Sequence, residues 1–204
     1  MEALASSAAL HPLESLRRDH RLIFQLTDAL DAYRAVLLAG ARMPPGDLGA
    51  LTLALRTLAD YRHFEKEEQV LEQVLVRNGY NRNLKRLLDA RETHRHLRDL
   101  MDVLEHAAER ESTWSQPDRW TIAETLLDLS REQTKLSMSQ EIELFPELLT
   151  RLEPAALAEL ALQLARFDAQ SEAWLPTVDV GELCRSIMQH CVQASAERLV
   201  FLSV

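Results

Sequence analysis

The chain has 204 residues, 47% of them hydrophobic, and a formal net charge of -9 at pH 7. This acidic balance argues against nucleic acid or an anionic membrane as a partner, because sequence-independent binding to either needs a net basic face. The sequence contains no run of about 18 apolar residues and no secretory signal, so neither a membrane span nor export is expected. We therefore expect a cytoplasmic protein.

Four long stretches repeat their apolar residues with helical spacing, whereas the alternation typical of strands is almost absent. The pattern predicts helices over residues 11–38, 47–78, 81–110 and 117–149. Gly40 and Gly79 are expected to end the first two helices, and Asp47 is expected to cap the start of the second. The predicted fold class is therefore all-α.

Short connections between long helices make sequence neighbours antiparallel. We therefore expect an antiparallel up-down-up-down four-helix bundle over residues 12–150, preceded by an N-terminal arm at residues 1–11. Two additional C-terminal helices, near residues 154–172 and 179–202, form an extension over residues 151–204. Their apolar faces either pack on the bundle or form the contact of a homodimer, and the sequence leaves both readings open.

Ionisable side chains interrupt the inward-facing apolar positions of three helices. His63 and Glu67 on the second helix are four residues apart, so they lie on the same face. On the first and third helices, His20 and His94 occupy positions where the spacing predicts an apolar residue, and the fourth helix offers Gln140. In an antiparallel bundle all of these side chains fall within a slab of roughly 10 Å.

Several polar groups buried at one level need a polar partner, because each group left dry and unpaired costs on the order of 1–3 kcal/mol. A metal ion, a water cluster or mutual hydrogen bonds would each provide one. Of these three we favour a metal ion, since imidazole and carboxylate are common ligands of iron and zinc.

The remaining histidines and both cysteines are not expected to take part. His96 lies on the opposite helix face from His94, so it is predicted to be exposed, as is His106; His190 is predicted to lie away from the group. Cys184 and Cys191 are too far apart along one helix to form a disulfide. We expect them to be buried thiols.

These motifs resemble those of the hemerythrin-like, or HHE cation-binding, family over about residues 12–150. The matching segments, one on each helix, are Asp19–Ile23, His63–Leu71, Thr93–Leu97 and Gln140–Pro146. The resemblance implies a non-haem di-iron centre inside the bundle. Its ligands would be one histidine from each of the first and third helices and a His-x-x-x-Glu pair from each of the second and fourth.

Carried over to this chain, the resemblance implies the metal ligands His20, His63, Glu67 and His94. The pattern is broken on the fourth helix, because the histidine position holds Leu136 and the glutamate position holds Gln140. Leucine cannot coordinate, and glutamine lacks the charge with which a carboxylate bridges two cations, although its carbonyl oxygen is a weak ligand. We therefore expect an incomplete di-iron site with Gln140 as a weak donor.

In this family the ligands of the first and fourth helices tend to share one metal, and those of the second and third helices the other. The resemblance thus implies that His63, Glu67 and His94 hold one iron, with zinc as the alternative, while His20 is left almost alone. Glu132 or Glu141 would complete the second site only if the fourth helix shifted its register.

Two functions from different classes remain open. In the first, the chain is a hemerythrin-like iron protein that senses or handles O₂, NO or a peroxide at an open coordination position. In the second, the site has decayed and the chain is a metal-poor regulatory or protein-interaction bundle, which the loss of both fourth-helix ligands favours. Retention of His20 argues against complete decay. No independent catalytic motif is present, so the sequence does not decide whether the protein is an enzyme.

Overall fold

The computed structural model describes residues 11–79 and 85–201, and this part of the chain contains helices and no strand. Its six long helices are α1 (Glu14–Leu38), α2 (consecutive segments Asp47–Leu55, Arg56–Phe64, Glu67–Leu71 and Glu72–Arg77), α3 (Lys85–Ala108), α4 (consecutive segments Gln116–Ser139, Gln140–Leu144 and Phe145–Arg151), α5 (Pro154–Ser171) and α6 (Val180–Phe201). The all-α prediction is confirmed. Residues 1–10 of the predicted N-terminal arm lie outside the described residues.

The ends of α1 and α2 lie at the predicted glycines, but the predicted cap at the start of α2 is wrong. Gly40 and Gly79 adopt left-handed φ values of 71° and 91° directly after α1 and α2, as the sequence predicted. The prediction that Asp47 caps α2 is wrong, because Gly46 occupies that position with φ of 92° and Asp47 is the first helical residue. The Asp47 carboxylate instead lies 2.8 Å from Nδ1 of His190, which links the start of α2 to α6.

Segments of π-helix interrupt α2 and α4 at the level of the predicted ligands. They cover Arg56–Phe64, Glu67–Leu71 and Gln140–Leu144. A π-helical turn holds one residue more than an α-helical turn, and such turns are frequent at functional sites. His63, Glu67 and Gln140 all belong to these segments, so the wider turns set the direction in which their side chains leave the helices.

Two clusters of buried apolar side chains fill the interior, and the predicted polar positions lie between them. On α1, Leu16 belongs to one cluster and Ile23 to the other, with His20 between them in sequence. The same change of cluster occurs on α2 between Ala59 and Val70. The candidate site is therefore a polar layer inside an otherwise apolar core.

The C-terminal helices cover the bundle. Helix α6 packs along α1, and its buried Ile187 belongs to the larger apolar cluster. Leu160 and Leu164 of α5 belong to the smaller cluster. Cys184 and Cys191 are buried free thiols, as predicted. Among the described helices none is long and apolar enough to cross a membrane.

Candidate metal centre

All five side chains named as candidate ligands lie inside the molecule. Between 0% and 6% of the surface of each is exposed, and they come from four helices: His20 on α1, His63 and Glu67 on α2, His94 on α3, and Gln140 on α4. Side chains that are distant in sequence thus meet in the polar layer, and their geometry decides what they can hold.

Within the polar layer, the side chains that lie closest together are those of His20, His63 and Glu67. Nε2 of His20 lies 3.1 Å from Nε2 of His63, which in turn lies 3.2 Å from Oε1 of Glu67. One ligand atom from each of the three residues lies within 4.8 Å of the others. Two imidazole nitrogens and a carboxylate oxygen at these distances can share a single cation.

The other oxygen of Glu67 faces α3 and α4. Its Oε2 atom lies 3.1 Å from Nε2 of His94 and accepts a hydrogen bond of 3.0 Å from the amide of Gln140. The amide oxygen of Gln140 lies 3.0 Å from Nε2 of His20. Gln140 therefore joins the polar layer as a neutral side chain that contacts both Glu67 and His20.

His20 is held from outside by a second carboxylate. Its Nδ1 atom lies 2.9 Å from Oε1 of Glu141, and Nε of Arg17 donates a 3.1 Å hydrogen bond to the other oxygen of that carboxylate. The imidazole also stacks on Phe145, with ring centroids 5.5 Å apart and planes 8° from parallel. Together these contacts keep Nε2 of His20 pointing inward, as carboxylates behind metal-ligating histidines commonly do.

The surroundings of His94 repeat this arrangement with different residues. Its Nδ1 atom lies 2.7 Å from Oε1 of Glu68, to which Arg98 donates a 3.2 Å hydrogen bond. The ring stacks on Phe64 at a centroid distance of 4.1 Å. His20 and His94 are therefore each held by an aromatic ring, a glutamate and an arginine.

A buried ion cluster lies behind His63. Lys66 and Asp19 have no exposed surface, and Nζ of Lys66 donates hydrogen bonds of 2.5 Å to Asp19 and 2.9 Å to Ser15. The same ammonium lies 2.6 Å from a carboxylate oxygen of Asp168 on α5. Nδ1 of His63 is 3.7 Å from Asp19, which is within ion-pairing distance but too long for a hydrogen bond.

Charge and burial set the protonation of the layer. Burial lowers the pKa of His63, but the charges of Glu67 and Asp19 outweigh it and raise the pKa to about 9. Burial raises the pKa of Glu67, but the neighbouring His63 and His94 hold it well below its usual range. Burial and the charge of His63 lower the pKa of His20. At neutral pH and without a metal, these shifts favour a protonated His63 beside an ionised Glu67.

The donor set fits one cation. Oε1 of Glu67 and Nε2 of His94 are buried and have no hydrogen-bond partner among the described residues, although imidazole and carboxylate atoms lie nearby. Since ligand atoms of His20, His63 and Glu67 lie within 4.8 Å of one another, two histidines and a carboxylate would hold the ion, a set typical of non-haem Fe(II). On the far side of Glu67, His94 is the one histidine among the described residues, because α4 contributes Leu136 and Gln140 there. The residues therefore fit one ion better than two.

The grouping of the side chains differs from the expected sharing of ligands, which stays a prediction. The sequence interpretation paired His63 with His94 and left His20 almost alone, whereas the structure groups His20 with His63 and Glu67. Glu141 does not complete a second site, because it contacts the outward nitrogen of His20. Glu132 lies beside Lys135, 3.6 Å away.

Residues around the candidate ligands lie partly where the sequence predicted them. His96 and His106 are exposed, as expected, and Leu136 is partly buried against the larger apolar cluster. The sequence interpretation missed the roles of Glu68, Asp19 and Lys66. Glu68 and Glu141 each follow a candidate ligand directly in the chain, and this adjacency is a signal that could have been used.

Comparison with known proteins gives one match. The family model described as Hemerythrin HHE cation binding domain matches residues 11–133. The match includes His20, His63, Glu67 and His94 and ends before Leu136 and Gln140, the two positions at which the fourth-helix motif departs from the family pattern. No curated protein and no solved structure matches the chain.

Proposed function

The chain belongs to the hemerythrin HHE cation-binding family, and from this premise we propose that it binds a single iron ion through His20, His63 and Glu67 and senses or handles O₂, NO or a peroxide. The observation that carries the proposal is the convergence of two imidazole nitrogens and a carboxylate oxygen within 4.8 Å in the buried core. The family binds metal cations, and imidazole with carboxylate suits Fe(II) and, as the alternative, Zn(II).

Each residue of the layer has a separate task in this proposal. His20 and His63 supply neutral Nε2 donors, and Glu67 supplies the negative charge. Gln140 supplies a weak amide oxygen next to His20, and His94 holds the second oxygen of Glu67. A bound ferrous ion would supply an open coordination position for a diatomic molecule or a peroxide. The apolar clusters on both sides bury these side chains, and burial strengthens the electrostatic interactions among them.

A second function is supported by one observation. Leu136 and Gln140 deprive α4 of both family ligands, and a chain that had lost its metal would be a regulatory or protein-interaction bundle. In that case the hydrogen bonds among His20, Gln140 and Glu67 would hold the polar layer together without an ion.

Metal analysis separates the two functions. The full chain is purified from iron-supplemented cells, its metal content is measured by mass spectrometry, and its melting temperature is recorded with and without added Fe(II) or Zn(II). We expect roughly one ion per chain and a melting temperature that rises with metal, because a ligand bound only to the native state stabilises it. No bound metal and an unchanged melting temperature would favour the second function, and about two ions per chain would contradict the single-ion site.

The same proposal includes three expectations about the whole protein. The short connections favour the up-down-up-down arrangement of the first four helices. A cytoplasmic location suits two free buried thiols, since reducing compartments keep cysteines unpaired. A homodimer through the C-terminal helices is the third expectation, and light scattering on the purified chain tests it.

A further inference from the structure

A cavity of about 460 Å³ extends from the polar layer between α2, α3 and α4. Its inner end is formed by Glu67, His94 and Gln140, and its outer rim includes the exposed side chains of Arg86 and Lys135. A water molecule occupies about 30 Å³ of the liquid, and pockets for small organic molecules have volumes of about 300–1,000 Å³. The cavity is therefore much larger than O₂, NO or hydrogen peroxide requires.

The position at which the family pattern has the fourth-helix histidine lines this cavity with an apolar side chain. Leu136, which occupies that position, lines the cavity together with Leu71, Ala90 and Leu144. These four side chains give the cavity an apolar wall that leads inward to the amide of Gln140. An occupant with an aliphatic or aromatic body would bury that body against the wall and reach the polar layer with one end.

The charges around the cavity indicate which net charge a bound molecule can carry. Its described lining contains six carboxylates and three lysine or arginine side chains. Each of these cations already lies beside an acid: Arg86 beside Glu143 and Glu147, Arg91 beside Glu72, and Lys135 beside Glu132. Within the described lining, each lysine and arginine thus already has an acidic partner, so none of these side chains is free to attract a carboxylate or phosphate.

We propose that this cavity binds a neutral or cationic organic molecule with an apolar body, placed with one end beside Glu67, His94 and Gln140. The inference rests on the proposed function, because the inner end of the cavity contains residues of the proposed metal centre. It extends that function from diatomic molecules and small peroxides to organic molecules of several carbon atoms.

The test compares three probes with the same carbon chain: 1-hexanol, hexylamine and hexanoate. Saturation-transfer NMR and calorimetry on the full chain measure their binding with and without Zn(II), and Zn(II) binding is measured on the same samples. We expect 1-hexanol and hexylamine to bind, and hexanoate to bind about tenfold more weakly because of the acidic lining. Leu136→Trp, which places a larger side chain against the apolar wall of the cavity, should weaken 1-hexanol binding at least about tenfold.

Two further variants keep the test decisive if Leu136→Trp fails to fold. Ser139→Trp narrows the outer part of the cavity from an exposed position and should also weaken binding, whereas Leu162→Trp, at an exposed position of α5, should not. Equal binding of hexanoate, no binding of any probe, or full binding to both cavity variants would overturn the inference. If Zn(II) binds while no probe does, only the cavity inference fails. If the probes bind while neither Zn(II) nor Fe(II) does, the proposed metal function fails instead.

Discussion

The imidazole of His94 lies almost flat on the ring of Phe64, with centroids 4.1 Å apart and planes 13° from parallel. Phe64 follows His63 directly in the chain and has no exposed surface, and the guanidinium of Arg98 lies over its ring, 5.6 Å from the centroid. One aromatic side chain thus links the ligand-bearing part of α2 to the histidine of α3. The orientation of His94 therefore depends on a residue that cannot itself coordinate a metal.

Replacing Phe64 by leucine should show this dependence. We expect Phe64→Leu to lower the free energy of unfolding by about 1–3 kcal/mol, since it removes buried ring atoms and a stacking contact. Zn(II) affinity should also fall, because His94 would no longer hold Glu67 in place. Phe167→Leu is the control, as Phe167 packs against the smaller cluster on α5. Calorimetric titration and thermal melts should show lower stability for both variants but weaker Zn(II) binding only for Phe64→Leu.

Glu141 should influence metal binding through His20. Its carboxylate lies 2.9 Å from Nδ1 of that histidine, and removing such an outer partner typically lowers metal affinity 10–100-fold. We therefore expect Glu141→Gln to weaken Zn(II) binding by at least about tenfold. Glu143→Gln changes an exposed glutamate of the same π-helical segment and should leave the affinity unchanged. Equal affinities of the two variants would show that Glu141 does not position His20.

Removing the metal should destabilise the protein. At a free metal concentration about 100 times the dissociation constant, binding adds about 2.7 kcal/mol to the free energy of unfolding. A chelator should therefore lower the melting temperature of the metal-loaded chain. His63→Ala should abolish the difference between loaded and chelated samples, whereas His96→Ala, at an exposed position, should preserve it. A chelator effect that persists in His63→Ala would place the ion elsewhere.

The metal-free chain should lose stability as the pH rises above neutrality. In the folded chain, Glu67 and Asp19 outweigh burial and raise the pKa of His63 from its ordinary value of 6.5 to about 9. Because the folded state binds this proton more tightly than the unfolded state, the contribution is complete below pH 6.5 and is lost as the pH rises towards 9.

His20 acts in the opposite direction at lower pH. Burial and the charge of His63 lower the pKa of His20, so protonating His20 increasingly destabilises the folded state as the pH falls below the ordinary pKa of histidine.

Urea titrations of the metal-free chain between pH 6 and pH 9.5 isolate the contribution of His63 if His63→Gln is included. The variant should show a much smaller decrease in stability over this range, and identical pH profiles would contradict the raised pKa.

The sequence predicted which side chains enter the core but not how they are grouped. The four-residue spacing of His63 and Glu67, and the positions of His20 and His94 among apolar residues, sufficed to predict burial on three helices. The sharing implied by the resemblance paired His63 with His94, whereas His20 is the closer partner of His63. Side-chain spacing on one helix does not specify the distance to a side chain on another, so this grouping depends on the tertiary packing.

The π-helical segments are a second feature that the sequence did not predict. A spacing of four residues between His63 and Glu67 is compatible with an α-helix and with a wider turn, so periodicity alone cannot separate them. The burial of Lys66 was missed for a related reason. A lysine between two glutamates on a long helix is expected to be exposed to solvent. In the structure, its carboxylate partners come from α1 and α5, which are distant in sequence.

Lys66 should contribute strongly to the stability of the fold because its charge is enclosed. Its ammonium contacts Asp19 and Asp168, and both Lys66 and Asp19 have no exposed surface. Lys66→Met would leave the enclosed carboxylate of Asp19 without its hydrogen-bonded ammonium, with Arg62 at 3.3 Å and His63 at 3.7 Å as its remaining cationic neighbours. The cost should therefore be at most the roughly 3–5 kcal/mol that an uncompensated partner of a buried ion pair carries. We therefore expect a large decrease in melting temperature, whereas Lys135→Met, at a site where the side chain is 78% exposed, should have no measurable effect.

A double variant tests whether the loss comes from the charge of Asp19 once its ammonium partner is removed. If Lys66→Met destabilises by leaving Asp19 charged and buried, then adding Asp19→Asn should restore part of the melting temperature, because the amide carries no charge. Additive losses would mean that the two residues act separately and that the enclosed pair is not the cause. The two single variants and the double variant, measured together by thermal and urea unfolding, give the coupling between the two side chains. Partial recovery in the double variant is the result that the structure predicts.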